Sequence, residues 1–142
     1  MTTSTLIENM LKYERNFLGC FDIKQLPPFP QVFPCSLIVR KGYHWLSLIF
    51  TRRKKCFYFD SFGEKIKDKC LITYLRKYHF ISIVRSIRQI QADSSDKCGF
   101  FCVLFIKLVK TLSDFKHFLL LFYKNKLLRN DSILEYILFK VK

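Results

Sequence analysis

Four side chains in this sequence have the types and the order needed to break an amide bond: His44, Asp60, Gln91 and Cys98. A cysteine thiolate is a strong nucleophile, and a neighbouring imidazole can take its proton and later return it to a leaving amine. A carboxylate beside the imidazole fixes its tautomer and stabilises the imidazolium. A glutamine amide, together with the backbone N–H of the nucleophile, can donate to the oxyanion that develops on the attacked carbonyl. Taken singly, each residue has a plainer role: a packed histidine before Trp45, a turn-forming aspartate before Ser61-Phe62-Gly63, a polar strand end, a small residue at a helix start. Their joint occurrence, with the cysteine opening an apolar helix, is what makes the set informative.

Elements must bring these four together. Tyr43–Phe50 and Lys55–Asp60 read as strands, joined by the charged tip Thr51-Arg52-Arg53-Lys54. If they pair as a hairpin, opposed residues have numbers totalling roughly 104 to 106, and His44 with Asp60 falls in that range. Both residues then lie near one end of the sheet. Cys98–Lys110 is almost unbroken in apolar character after the polar loop Ala92–Lys97, and so predicts a buried helix with Cys98 at its start. The positive end of a helix favours thiolate over thiol there, and Gly99 would let a substrate backbone come close.

The remaining elements follow from spacing. Thr5 to Glu8 fits a capping box for a first helix whose apolar face is Leu6, Ile7, Met10 and Leu11. Cys35–Arg40 predicts a strand turning at Lys41-Gly42, after a rigid loop containing Pro27, Pro28, Pro30 and Pro34. Ile66–Tyr78 returns to helical spacing and Phe80–Gln91 alternates as a strand, while 114–126 and 131–139 suit amphipathic helices. The expected fold is α+β: one domain over residues 1–142, with a central, mostly antiparallel sheet flanked by helices.

Composition constrains partners. Half of the 142 residues are hydrophobic and 17% aromatic, which excludes a disordered chain. The net charge of +14 predicts attraction to polyanions, with Arg52, Arg53, Lys54 and Lys55 as candidate DNA contacts; a lysine-rich base usage would give the same balance without a partner. No apolar run approaches the ~20 residues of a membrane span, and no signal-peptide pattern opens the chain, so a cytosolic or nuclear setting with reduced cysteines is expected. The six cysteines lack paired zinc spacing, so no metal is expected, and Cys20, Cys35, Cys56 and Cys102 read as core residues.

The strings YHWLSLIF, KCFYFDSFG and IQADSSDKCGFFCVLFI resemble the three active-site blocks of the adenovirus endopeptidase (adenain) family, and ubiquitin-like-protein proteases share the same His, Asp, Gln, Cys order. The stretch from Asn16 to Asp22, with the Pro-rich loop and Cys35-Ser36-Leu37-Ile38, is similar to the family's beginning. The likeness covers roughly residues 6 to 106. It implies a papain-like cysteine peptidase fold, with His44 as general base, Asp60 its orienter, Cys98 the nucleophile, Gln91 the oxyanion donor and Trp45 on the active-site wall. Where this chain has Asp60 adenain has Glu, while the cellular relatives have Asp. The implied activity is an endopeptidase maturing viral or transposon-encoded capsid and core precursors, in the host nucleus or cytoplasm or packaged in the virion, as a monomer needing no cofactor for its chemistry. The family also implies DNA and an activating peptide as stimulators, the peptide joined by a disulfide. The cysteine for that bond is missing before Gln91, where Phe80 stands, and Cys70 is the nearest alternative. The alternatives are a deubiquitinase- or deSUMOylase-like isopeptidase, and a basic DNA-binding virion protein that retains the fold.

Overall fold

The computed structural model describes residues 3–52, 54–77 and 82–140. Helix α1 (Ser4–Met10) leads into strand β1 (Phe17–Asp22), and β2 (Cys35–Lys41), β3 (His44–Phe50) and β4 (Lys55–Phe59) follow. Helix α2 (Lys69–Lys77) crosses to β5 (Ser82–Arg85), after which the chain is helical: α3 (Cys98–Leu108), α4 (Leu112–Leu120) and α5 (Asn130–Glu135), with a 3-10 turn at Leu127–Arg129 and a π turn at Tyr136–Lys140. The five strands form one sheet in chain order. Its two inner ladders are antiparallel and its two outer ones, β1 with β2 and β4 with β5, are parallel. The α+β reading holds, with the sheet mixed where mostly antiparallel pairing was expected.

The central hairpin pairs Ser47 with Phe59 and Phe50 with Cys56, within the range its spacing predicted. The turn between β2 and β3 is Gly42-Tyr43, one residue later than expected, because Lys41 pairs with His44. Gly42 supplies the positive φ of 63° such a two-residue turn needs. Alternation along the strands then sends Trp45, Ile49, Phe57 and Phe59 to one face and Leu46, Leu48, Cys56 and Tyr58 to the other. Both faces are covered, which is why the strands lack a polar side. The first face packs on α1, α3, α4 and α5; the second packs on α2 and on the Pro-rich loop through Phe29.

Helix α3 is apolar from Cys98 to Ile106 because that stretch is buried apart from partly buried Phe100; only its end, Lys107 and Leu108, is exposed. Phe105 stacks on Phe59 with centroids 4.7 Å apart, and Phe115 and Phe118 meet its ring edge-on. Burying one such ring contributes about 1.5–3 kcal/mol, and this pair anchors α3 across the middle of the sheet.

Three local expectations are revised. Thr3, not Thr5, caps α1, accepting from Leu6 N at 3.2 Å, while Glu8 reaches across to Cys20 N. Helix α2 begins at Lys69, where Asp68 Oδ1 accepts from Cys70 N and Leu71 N. The predicted strand 80–91 shortens to β5, with Phe80 outside the described residues; Ser86 N still bonds Tyr58 O of β4, and beyond it Ile90 N and Gln91 N bond Ser61 O rather than the sheet.

Candidate active site

His44 opens β3, and Asp60 immediately follows β4, so the hairpin delivers both to one end of the sheet. His44 Nε2 lies 2.7 Å from Asp60 Oδ1. The same oxygen accepts from Phe62 N at 2.8 Å, and the Asp60 backbone exchanges two hydrogen bonds with the Ser86 hydroxyl, locking the carboxylate from both sides. Asp60 is 4% exposed. A carboxylate only accepts, so Nε2 carries the hydrogen in the neutral imidazole and Nδ1 presents its lone pair. Phe62 lies against the ring at 4.8 Å.

Cys98 is the first residue of α3, and Lys97 gives the helix no side-chain cap. The first N–H groups of a helix have no partner within it, so the thiol sits at an end that favours negative charge. Its Sγ is 3.9 Å from the Tyr43 carbonyl. The imidazole Nδ1 is sealed from solvent with no hydrogen-bond partner. Burial alone would push the imidazole's pKa down; the hydrogen bond to Asp60 and the nearby Cys98 thiol together outweigh it and raise the value from 6.5 to about 9. An imidazole that holds its proton so firmly is suited to stabilise a thiolate beside it.

His44 and Cys98 share a cleft of about 460 Å³ whose walls are Tyr43, Trp45 and Phe62, with Ser95 and Asp96 on the loop before the nucleophile. Trp45 lines this cleft beside His44. Gly99 is buried in the first turn of α3, and the cleft is bounded by the aromatic side chains instead. Gln91 is fully buried. Its Oε1 is 2.5 Å from Ser61 Oγ, and its Nε2 donates to Ser95 O at 2.9 Å and Ser95 Oγ at 3.3 Å. Ser61 O also accepts from Ile90 N and Gln91 N, tying the Asp60–Gly63 turn to the Gln91 loop. Sequence spacing gave no sign of Ser61, Ser86 or Ser95, since short polar residues carry no periodic signal.

The other cysteines are poorly suited to the chemistry. Burial pushes the Cys20 thiol up to about 12 and Cys35 to about 11, and raises Cys56 and Cys102 further. Cys70 is exposed on α2. Of the candidate DNA contacts, Arg52 and Lys54 are exposed at the β3–β4 tip and Lys55 is half-buried, while Arg53 lies outside the described residues. Among the described residues no group of side chains suits a metal ion, and no helix is long and apolar enough to cross a membrane.

Several known proteins are similar to this chain. Proteases of bovine adenovirus 2 and human adenovirus B serotype 3 are each 32% identical to it, over 63% of the chain and 53% and 52% of their own lengths. The frog adenovirus 1 protease is 29% identical over 74% of the chain and 62% of its own. The chain thus spans about half the length of the curated relatives it matches. The crystal structure of an ASFV protease shares the fold, with a TM-score of 0.53 over 91% of this chain and 62% of that one, at 18% identity. Residues 13–135 match the family model described as adenovirus endoprotease, an extent that takes in the His44–Asp60 hairpin, Gln91 and the Cys98 helix, and on it the chain belongs to the adenovirus endoprotease family.

Proposed function

We propose that this chain is a cysteine endopeptidase that cuts the structural precursors of a virus or virus-like element. The observation that carries the reading is the 2.7 Å contact between His44 Nε2 and buried Asp60, with Cys98 on the same cleft at the start of α3. In this mechanism Cys98 Sγ attacks the scissile carbonyl while its proton resides on His44 Nδ1. The tetrahedral oxyanion is met by the Cys98 N–H and the Gln91 amide. Collapse transfers the His44 proton to the leaving amine and leaves a thioester. Water, deprotonated by His44, then releases the acyl product and the free thiol.

The basic tip is the proposed contact for DNA. It lies at the far end of β3 from His44, roughly 20 Å away for six strand steps. DNA held there concentrates the enzyme on nucleoprotein substrates without entering the cleft. Activation by a peptide, action as a monomer, and residence in the host nucleus, cytoplasm or virion belong to the same proposal.

Cleavage of the co-encoded structural precursors tests the reading. Cys98→Ala should abolish product, on the order of 10⁶-fold in kcat as for loss of a nucleophile that acts as one unit with its base, with the unfolding midpoint unchanged. Cleavage that persists in Cys98→Ala sinks it. Labelling of Cys98 by ubiquitin-like-modifier probes, with no precursor cleavage, would favour an isopeptidase instead.

A further inference from the structure

The network around Gln91 has a fixed polarity, and it ends in a part of the chain that the catalytic residues do not touch. Ser95 Oγ lies 2.8 Å from Asp131 Oδ1 at the start of α5. A carboxylate can only accept, so the Ser95 proton goes to Asp131, and Ser95 Oγ has only lone pairs left for Gln91 Nε2 and for Lys97 N at 3.2 Å. At the other end Ser61 Oγ donates to Gln91 Oε1. Donation therefore runs one way, from Ser61 through Gln91 and Ser95 to Asp131, and it permits one orientation of the Gln91 amide, N–H toward Ser95, which itself lines the cleft.

A second contact comes from the neighbouring residue. Asn130, fully buried, donates through Nδ2 to Ile90 O at 2.7 Å and to Tyr123 O at 3.0 Å, and accepts from Tyr123 N at 2.8 Å. Residues 130 and 131 thus hold the loop on both sides of Gln91, at Ile90 and at Ser95.

We propose that Ser95 and Asp131 are positioning residues for the oxyanion donor, so that α5 forms part of the catalytic apparatus through the hydrogen bonds Asp131–Ser95–Gln91. The inference rests on the reading of Gln91 as oxyanion donor. Without Asp131 the Ser95 hydroxyl is free to turn its proton toward Gln91, and Nε2 is left with Ser95 O as its one acceptor, so the amide is held less firmly. His44 and Cys98 make no bond in this chain, whose nearest approach to the nucleophile is the bond from Lys97 N to Ser95 Oγ.

The experiment combines steady-state kinetics on a precursor peptide with the rate of Cys98 alkylation by iodoacetamide, which needs the thiolate but no oxyanion site. Gln91→Ala should lower kcat by ~100- to 1,000-fold. Asp131→Ala and Ser95→Ala should each lower kcat by about tenfold, the worth of one hydrogen bond, with KM and alkylation unchanged. Ser95→Thr, which keeps the hydroxyl, should restore it. The double variant Asp131→Ala/Gln91→Ala should be no slower than Gln91→Ala alone. Wild-type kcat in Asp131→Ala, losses that multiply in the double variant, or alkylation that slows in step with kcat would each overturn the proposal while leaving Gln91 in place. Wild-type kcat in Gln91→Ala would overturn the oxyanion reading, and the positioning role with it.

Discussion

Asp60→Asn isolates the charge that holds His44. Both groups that bond the carboxylate, His44 Nε2 and Phe62 N, point at one oxygen, Oδ1. An asparagine can place its carbonyl there and keep both hydrogen bonds, so the variant removes charge and little else. In the wild type the imidazole stands at about 9 against its ordinary 6.5, despite burial that works the other way. That displacement corresponds to about 3 kcal/mol favouring the protonated ring, and the His44 side chain is only 23% exposed, so solvent screens little of it. With that charge gone, burial still in place and the Cys98 thiol still beside the ring, the imidazole should titrate below its wild-type value.

Two measurements read this. The pH profile of Cys98 alkylation should show an upper inflection where the imidazolium loses its proton, expected at about 9 in the wild type; in Asp60→Asn this inflection should move to lower pH. The share of that stabilisation that Asp60 supplies, withdrawn from the imidazolium that forms during attack, should lower kcat/KM by about tenfold for each pH unit by which the imidazole's titration falls. Stability follows with a definite sign. A folded-state pKa raised above the unfolded value contributes stability that is full below about 6.5 and is lost as pH rises through about 9. The stability difference between wild type and Asp60→Asn should therefore be largest at pH 6 and shrink by pH 9.5 in urea unfolding. An alkylation profile that is superimposable in the two proteins would refute the assignment of Asp60 as the group that sets His44.

Two further outcomes follow from the structure. Gly63 has φ of +71°, and a Cβ there would lie 2.6 Å from the Arg88 carbonyl carbon and 2.7 Å from Gln89 N; Gly63→Ala should cost at least 1–2 kcal/mol from the left-handed backbone and shift the Gln91 loop, lowering both the urea midpoint and kcat, and an unchanged kcat would show the loop to be indifferent to the turn. Replacing Arg52 and Lys55 by Glu should weaken DNA binding and flatten its salt dependence by close to one in slope for each phosphate no longer neutralised, measured by fluorescence anisotropy from 50 to 200 mM salt, while basal peptide cleavage stays at wild type; unchanged DNA affinity would place the DNA-binding surface elsewhere.

The parts of the site that the sequence made legible are those set by short spacing. The His44–Asp60 contact follows from one hairpin register, and the place of Cys98 follows from an apolar run that starts after a polar loop. Strand β1 was not legible as a strand: Gly19 at φ +125° and a register shift between Phe17 and Cys20 break its alternation. The parallel outer ladders were equally hidden, because periodicity shows that a segment is a strand and says nothing of its partner.

The rest of the site was illegible for a different reason. Ser61 meets Gln91 across 30 residues of chain, Ser95 meets Asp131 across 36, and Asn130 meets Ile90 across 40. No local pattern encodes such pairs, and serine and asparagine are residues a sequence reading assigns to the surface. Yet the buried polar residues of the described chain are Ser36, Ser47, Asp60, Ser61, Ser86, Gln91 and Asn130, and the last five all hold His44 or the Gln91 loop in place. Burying a polar group is costly unless its bonds are complete. A fold that concentrates this burial at one end of its sheet gives those bonds a role other than cohesion, and here that role is to keep an imidazole, a carboxylate and an amide in fixed orientation around one thiol.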